Sequence, residues 1–402
     1  MARLALAVLL LLALLAGPAQ AADRAQTRAE LARAMGAAGA ASGALVVDLN
    51  AGQELYASRA DARRIPASVQ KLYTTATALK GLGPQATLRT SALAGAAIGA
   101  DGTLAGDLYL RGTGDPSFGV AGVTALARDL RAAGLMRIEG RVLGDDTAFD
   151  RRRGPPTAGF RTSDYVGPLT ALPFNRGLTG LRAPYFQVSP GLFTAQALDR
   201  ALRADGVEVA QRARLGSTPV AAIEVAAVES PTLAELAGRT NRPSDNFYAE
   251  QLIKVVGARL GAGGSTRQGA EVVRGTLAGI GARPNVSDGS GLGRANRTSP
   301  RQVVALLQAM AQDAAAGPSF TASLPVAGRS GTLTGRLRRT AAAGNCRAKT
   351  GTLSDVSGLA GYCRAADGET WLAFALLMNR VNPAGARVLQ DRMAAALARY
   401  EP

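Results

Sequence analysis

Ser68 and Lys71 stand three residues apart in Ile65-Pro66-Ala67-Ser68-Val69-Gln70-Lys71-Leu72-Tyr73, where a stretch with helical apolar spacing begins. Side chains at i and i+3 of a helix share a face, so hydroxyl and amine come within reach of each other. A serine hydroxyl is a weak nucleophile until a neighbouring base takes its proton. Lysine serves as that base only when burial or nearby positive charge lowers its pKa. Other routes close quickly. The chain has no histidine, which excludes a Ser-His-Asp triad, a Cys-His pair and a His-ligated zinc site together. It holds four lysines, Lys71, Lys80, Lys254 and Lys349, against 42 arginines. Arginine stays protonated and makes a poor base. Only Lys71 has a serine three residues before it. No metal and no cofactor is expected.

Two further patterns carry polar groups suited to a substrate. Ser244-Asp245-Asn246 is the single Ser-x-Asn of the chain. Arg347-Ala348-Lys349-Thr350-Gly351-Thr352 sets a cation and hydroxyls beside a glycine, at the start of two alternating runs, 346–353 and 356–364. Arg329-Ser330-Gly331-Thr332 has a similar look, but it lacks the lysine and no strand pair follows it. Cys346 and Cys363 lie symmetrically about Ser354-Asp355, so a cross-strand disulfide is expected, with two buried thiols as the alternative.

Elements to position these groups can be read along the chain. Residues 22–40 read as a helix, 44–48 and 54–57 as strands joined through Asn50-Ala51-Gly52, and 68–80 as the serine helix, stopped by Gly81-Leu82-Gly83-Pro84. Residues 82–230 change texture to short alternating segments with two helical stretches, 123–133 and 195–204. Helical periodicity returns after Pro231, and a strand over 370–378 precedes a last helix over 384–400. The expected organisation is a signal peptide, 1–21, then one domain in two parts, 22–81 and 231–402, with 82–230 inserted between them. The signal is read from Arg3, the apolar run 4–15 and Ala19-Gln20-Ala21. It predicts an exported protein, periplasmic or else secreted or wall-associated. A net charge of +16 favours an anionic wall polymer or membrane surface. Export and 4% aromatic content argue against nucleic acid.

The order and spread of the three patterns resemble the penicillin-recognising serine acyl transferases. Within them the chain resembles the D-alanyl-D-alanine carboxypeptidase/endopeptidase family, peptidase family S13, also called low-molecular-mass class C penicillin-binding proteins. Gly114-Asp115-Pro116, Pro168-Leu169-Thr170-Ala171-Leu172, Asn175-Arg176-Gly177, Asp288-Gly289-Ser290-Gly291-Leu292 and Leu324-Pro325-Val326-Ala327-Gly328 extend that resemblance over nearly the whole chain. It implies an α+β, penicillin-binding-protein/β-lactamase-like transpeptidase fold, an antiparallel sheet flanked by helices, with a mainly β second domain inserted. It also implies a serine DD-peptidase acting on peptidoglycan stem peptides, as carboxypeptidase, endopeptidase or both, and inhibited by β-lactams.

By the same resemblance Ser68 is the nucleophile and Lys71 its base, its pKa lowered by burial and by Lys349. Ser244 relays a proton to the leaving amine, and Asn246 holds Lys71 and the substrate amide. Lys349 and Thr350 take the substrate's terminal carboxylate, and Gly351 admits its backbone. The N–H groups of Ser68 and Thr352 form the oxyanion hole. The Asp288 and Gly114 loops read as turns without chemistry of their own. A serine β-lactamase is the alternative, although no Glu-x-x-x-Asn occurs in the chain. A non-catalytic wall-binding relative is the other.

Overall fold

The structure is a computed structural model that describes residues 22–180 and 185–402. The expected signal peptide lies outside the described residues. The chain divides into two compact units, one of residues 22–69, 298–309 and 324–402, the other of 70–297 and 310–323.

The first unit is built on a five-stranded antiparallel sheet. Its spatial order is Cys346–Leu353, Val356–Arg364, Trp371–Asn379, Ser42–Asp48 and Gln53–Ser58. All seven residues of Ser42–Asp48 are buried, as expected of a strand covered on both faces. The helices Arg24–Ala37 and Pro383–Arg399 carry Leu31, Met35, Met393 and Leu397 into a core with Val46, Phe374 and Met378. Each begins on a side-chain cap. Asp23 accepts from Gln26 N, and Asn382 accepts from Ala384 N ahead of a Pro383 start. Ser354-Asp355 joins the first two strands in a hairpin, and Cys346 pairs with Cys363 both in register and through a disulfide. The edge strand carrying Lys349 is thereby fixed at its outer end.

The second unit holds the helices Lys71–Leu82, Leu233–Asn241, Asn246–Leu260 and Thr266–Ala278. Lys71 to Leu79 are buried without interruption, so Lys71–Leu82 is an interior helix rather than an amphipathic surface one. Residues 89–229 add a five-stranded sheet, ordered Ile223–Glu229, Arg89–Ala94, Leu108–Arg111, Val142–Asp145 and Arg214–Leu215. Two of its pairings are parallel, Leu108–Arg111 with Val142–Asp145 and Val142–Asp145 with Arg214–Leu215. A parallel pairing needs a crossover, and the helices Val120–Ala132 and Pro190–Ala204 lie in those two connections. Leu126, Leu130, Leu198 and Leu202 from these helices fill one core with Leu108, Leu110 and Val142.

Candidate active site

In the first unit, Ser68 lies in a 3-10 turn, Ala67–Gln70, that runs directly into the helix beginning at Lys71. Ala67 takes a left-handed φ of +48°, an uncommon state for a residue with a Cβ. Pro66, Ala67, Val69 and Gln70 are buried while Ser68 keeps partial exposure, so the turn presents the serine. Gly351 and Gly358 face each other in register on neighbouring strands. A Cβ on Gly351 would stand 2.7 Å from the Pro66 carbonyl oxygen and 3.2 Å from the backbone nitrogens of Ser68 and Val69. A Cβ on Gly358 would meet Val69 Cγ2 at 3.0 Å. A glycine at 351 thus lets this strand lie close against the serine turn.

Lys349 is wholly buried, and its Nζ donates to the Thr350 carbonyl at 2.7 Å. Thr350 Oγ1 donates to Thr332 Oγ1 at 2.8 Å. Thr332 belongs to the lysine-free look-alike, which forms a 3-10 turn at Gly331–Leu333 instead of a strand. Thr352 is exposed, and its hydroxyl accepts from the Arg387 guanidinium at 3.4 Å.

The second unit places Lys71, Ser244 and Asn246. The Lys71 side chain is fully buried. Its Nζ donates to Asn246 Oδ1 at 2.8 Å and to the Ser290 carbonyl at 2.7 Å. Asn246 opens its helix behind Asp245, whose carboxylate caps Tyr248 N at 3.0 Å and pairs with Arg176 at 2.7 Å. Ser244, just before that cap, is also left-handed, with φ +63°. The Asp288 loop is held internally, because its carboxylate accepts from Gly291 N, Gly293 N and Asn296 Nδ2 at 2.7–2.9 Å. Thr74 Oγ1, one turn along the lysine helix, donates to the Gly289 carbonyl at 2.8 Å.

Burial lowers the Lys71 pKa to about 8. The charges acting on the amine inside this unit are Glu250, Asp288 and Asp245, and all three raise it. Desolvation is the largest influence on the amine and outweighs these carboxylates. Burial raises the carboxyls of Glu250 and Asp288, and hydrogen bonds from Ser290, Gly289, Gly291, Gly293 and Asn296 hold them partly back.

The Asp288 loop therefore does more than turn the chain, since the Ser290 carbonyl receives the amine. Glu250, which sequence reading passed over, holds the Ser290 N–H at 2.8 Å. One signal was available, because Asn246 and Glu250 are four apart and share a helix face.

Comparison with known proteins places the chain in a family. Residues 25–184 and 185–400 match the model of the D-Ala-D-Ala carboxypeptidase 3 (S13) family. A D-alanyl-D-alanine carboxypeptidase of Actinomadura sp. (strain R39) is 30% identical over 90% of this chain and 82% of its own length. Carboxypeptidase DacB of Mycolicibacterium smegmatis is 32% identical over 88% of this chain and 79% of its own. The solved structure of penicillin binding protein 4 from Haemophilus influenzae shares the fold, with a TM-score of 0.77 at 22% identity, covering 90% of this chain and 97% of that one. This chain belongs to the D-Ala-D-Ala carboxypeptidase 3 (S13) family.

Proposed function

We propose that this protein is an exported serine DD-peptidase that cleaves peptidoglycan stem peptides through an acyl ester on Ser68. The observation that carries the reading is the surroundings of the Lys71 amine. The buried amine donates to Asn246 Oδ1 and to the Ser290 carbonyl, both uncharged, so its charged form is poorly compensated there. With a pKa of about 8, roughly one amine in ten is neutral at pH 7. An ordinary lysine would offer fewer than about one in a thousand. The three-residue spacing of Ser68 and Lys71 in the sequence suits proton transfer from the one to the other.

In the proposed reaction Ser68 Oγ attacks the carbonyl carbon of the D-Ala-D-Ala peptide bond while its proton passes to Lys71. The carbonyl oxygen takes the negative charge and is met by the N–H groups of Ser68 and Thr352, a contribution of about 3 kcal/mol to the barrier. The C–N bond then breaks, the leaving amine gains a proton through Ser244, and Ser68 keeps the acyl group. Water hydrolyses the ester and returns the proton to the serine oxygen. Lys349 and Thr350 receive the terminal carboxylate. Residues 82–230 are the inserted domain in this reading. Cleavage of cross-links comes from the same chemistry, and two solved relatives from Bdellovibrio bacteriovorus are titled endopeptidases. The titles of other solved relatives describe β-lactam complexes or a penicillin G acylated form, so inhibition by β-lactams is part of the proposal.

Incubation with a pentapeptide ending in D-Ala-D-Ala tests it. Release of free D-alanine by the wild type and none by S68A is expected. Nitrocefin should give one turnover and then stall. Sustained nitrocefin hydrolysis without D-alanine release would favour a β-lactamase, and no reaction with either compound would favour a wall-binding role.

A further inference from the structure

Glu250 is buried completely, beside the lysine of the proposed mechanism, and that mechanism gives it no task. Its Oε1 accepts from Ser290 N at 2.8 Å, and the carbonyl of the same residue accepts from Lys71 Nζ at 2.7 Å. Its Oε2 is buried with no hydrogen bond of its own. The two polar groups of residue 290 thus link the carboxyl to the amine. Asn246, the amine's other acceptor, lies one helical turn before Glu250 on the same helix. These two acceptors of the Lys71 amine are consequently set by one helix, Asn246 directly and Ser290 through Glu250.

We propose that Glu250 is a positioning residue for Lys71, fixing through the Ser290 peptide the direction and the proton affinity of the amine. A carboxylate near an amine favours its protonated form, and Glu250 is foremost among the charges that raise Lys71. Asp288, from the loop, and Asp245, from the helix cap, act on the amine in the same direction. Lys254, on the Glu250 helix, feels Glu250 as well but has Asp150 as its own partner. Replacing Glu250 with glutamine keeps an oxygen for the Ser290 N–H and removes the charge. Replacing it with alanine removes both.

The inference rests on Lys71 acting as the base for Ser68, and the experiment separates the two. Full-length wild type, E250Q and E250A are titrated with a fluorescent penicillin from pH 5.5 to 9.5, and acylation rates are recorded. The expected result is a wild type that labels at Ser68. In E250Q the limb that rises with pH moves about half a unit or more towards acid, because the amine has lost an anionic neighbour. E250A slows about tenfold or more across the range, as the Ser290 carbonyl loses its support. If E250A does not fold, the E250Q limb decides the matter alone. A wild type that labels, with E250Q keeping the wild-type limb, overturns the role of Glu250. Failure of the wild type to label overturns the underlying mechanism instead.

Discussion

Two lysines of the second unit, Lys71 and Lys254, are equally and completely buried, yet their surroundings differ in kind. Lys71 donates to an amide oxygen and a backbone carbonyl, both uncharged. Lys254 donates to the Asp150 carboxylate at 2.6 Å and the Arg152 carbonyl at 2.7 Å, with the Phe149 ring 5.6 Å away. Burial pushes both amines down; the bonded Asp150 carboxylate pushes back at Lys254, and Glu250, Asp288 and Asp245 push back at Lys71. In the proposed reading, what sets a base apart from a structural tie is the charge of these bonding partners, since neither side chain is exposed. Lys254 ties the segment 149–153 to the helix Asn246–Leu260, and that helix brings Asn246 to Lys71.

Mutation sharpens that contrast. K71A should lower the rate of acylation by a penicillin about a thousandfold, the range of a lost general base, while leaving a folded protein by circular dichroism. D150N should act on the other quantity. It strands the Lys254 ammonium and costs about 2 kcal/mol in urea unfolding, less than a wholly buried pair because the Asp150 side chain keeps 33% exposure. Its acylation rate should stay within about threefold of wild type. If D150N instead abolishes acylation and leaves stability intact, the two lysines do not divide as described. The smallest effect is expected in the first unit, at the Cys346–Cys363 bridge. Its two strands already pair over their whole register, so C346A/C363A should cost about 1 kcal/mol, below the roughly 3 kcal/mol of loop closure alone, as read by thermal unfolding.

Much of the sheet could be read directly. The alternating runs around Ser354-Asp355 gave strands at 346–353 and 356–364, which are the observed bounds, because a short turn between two runs fixes the register. The serine helix was legible as an element but not in its first turn, where Ala67–Gln70 is 3-10 and Ala67 is left-handed. Tertiary contact with Gly351 and Gly358 explains that turn, and no local propensity encodes it. Ser68, Lys71 and Asn246 could be singled out because their hydroxyl, amine and amide stand at spacings that suggest chemistry. Ser290 was not, since its contribution to Lys71 is a main-chain carbonyl that any residue type would supply. Glu250 was hidden for another reason. Spacing placed it on the Asn246 face, but only packing reveals a carboxyl buried beside an amine.

The central claim is that the amine of Lys71 reaches its neutral form near physiological pH and receives the proton of Ser68. The most direct measurement follows, by mass spectrometry of quenched and digested protein, the rate at which penicillin becomes attached to the peptide containing Ser68, from pH 6 to 9.5. The account predicts a single adduct on that peptide, with a rate that climbs about tenfold per pH unit and levels off above about 8. An adduct on another peptide, or a rate on this one that does not change across the range, would contradict it.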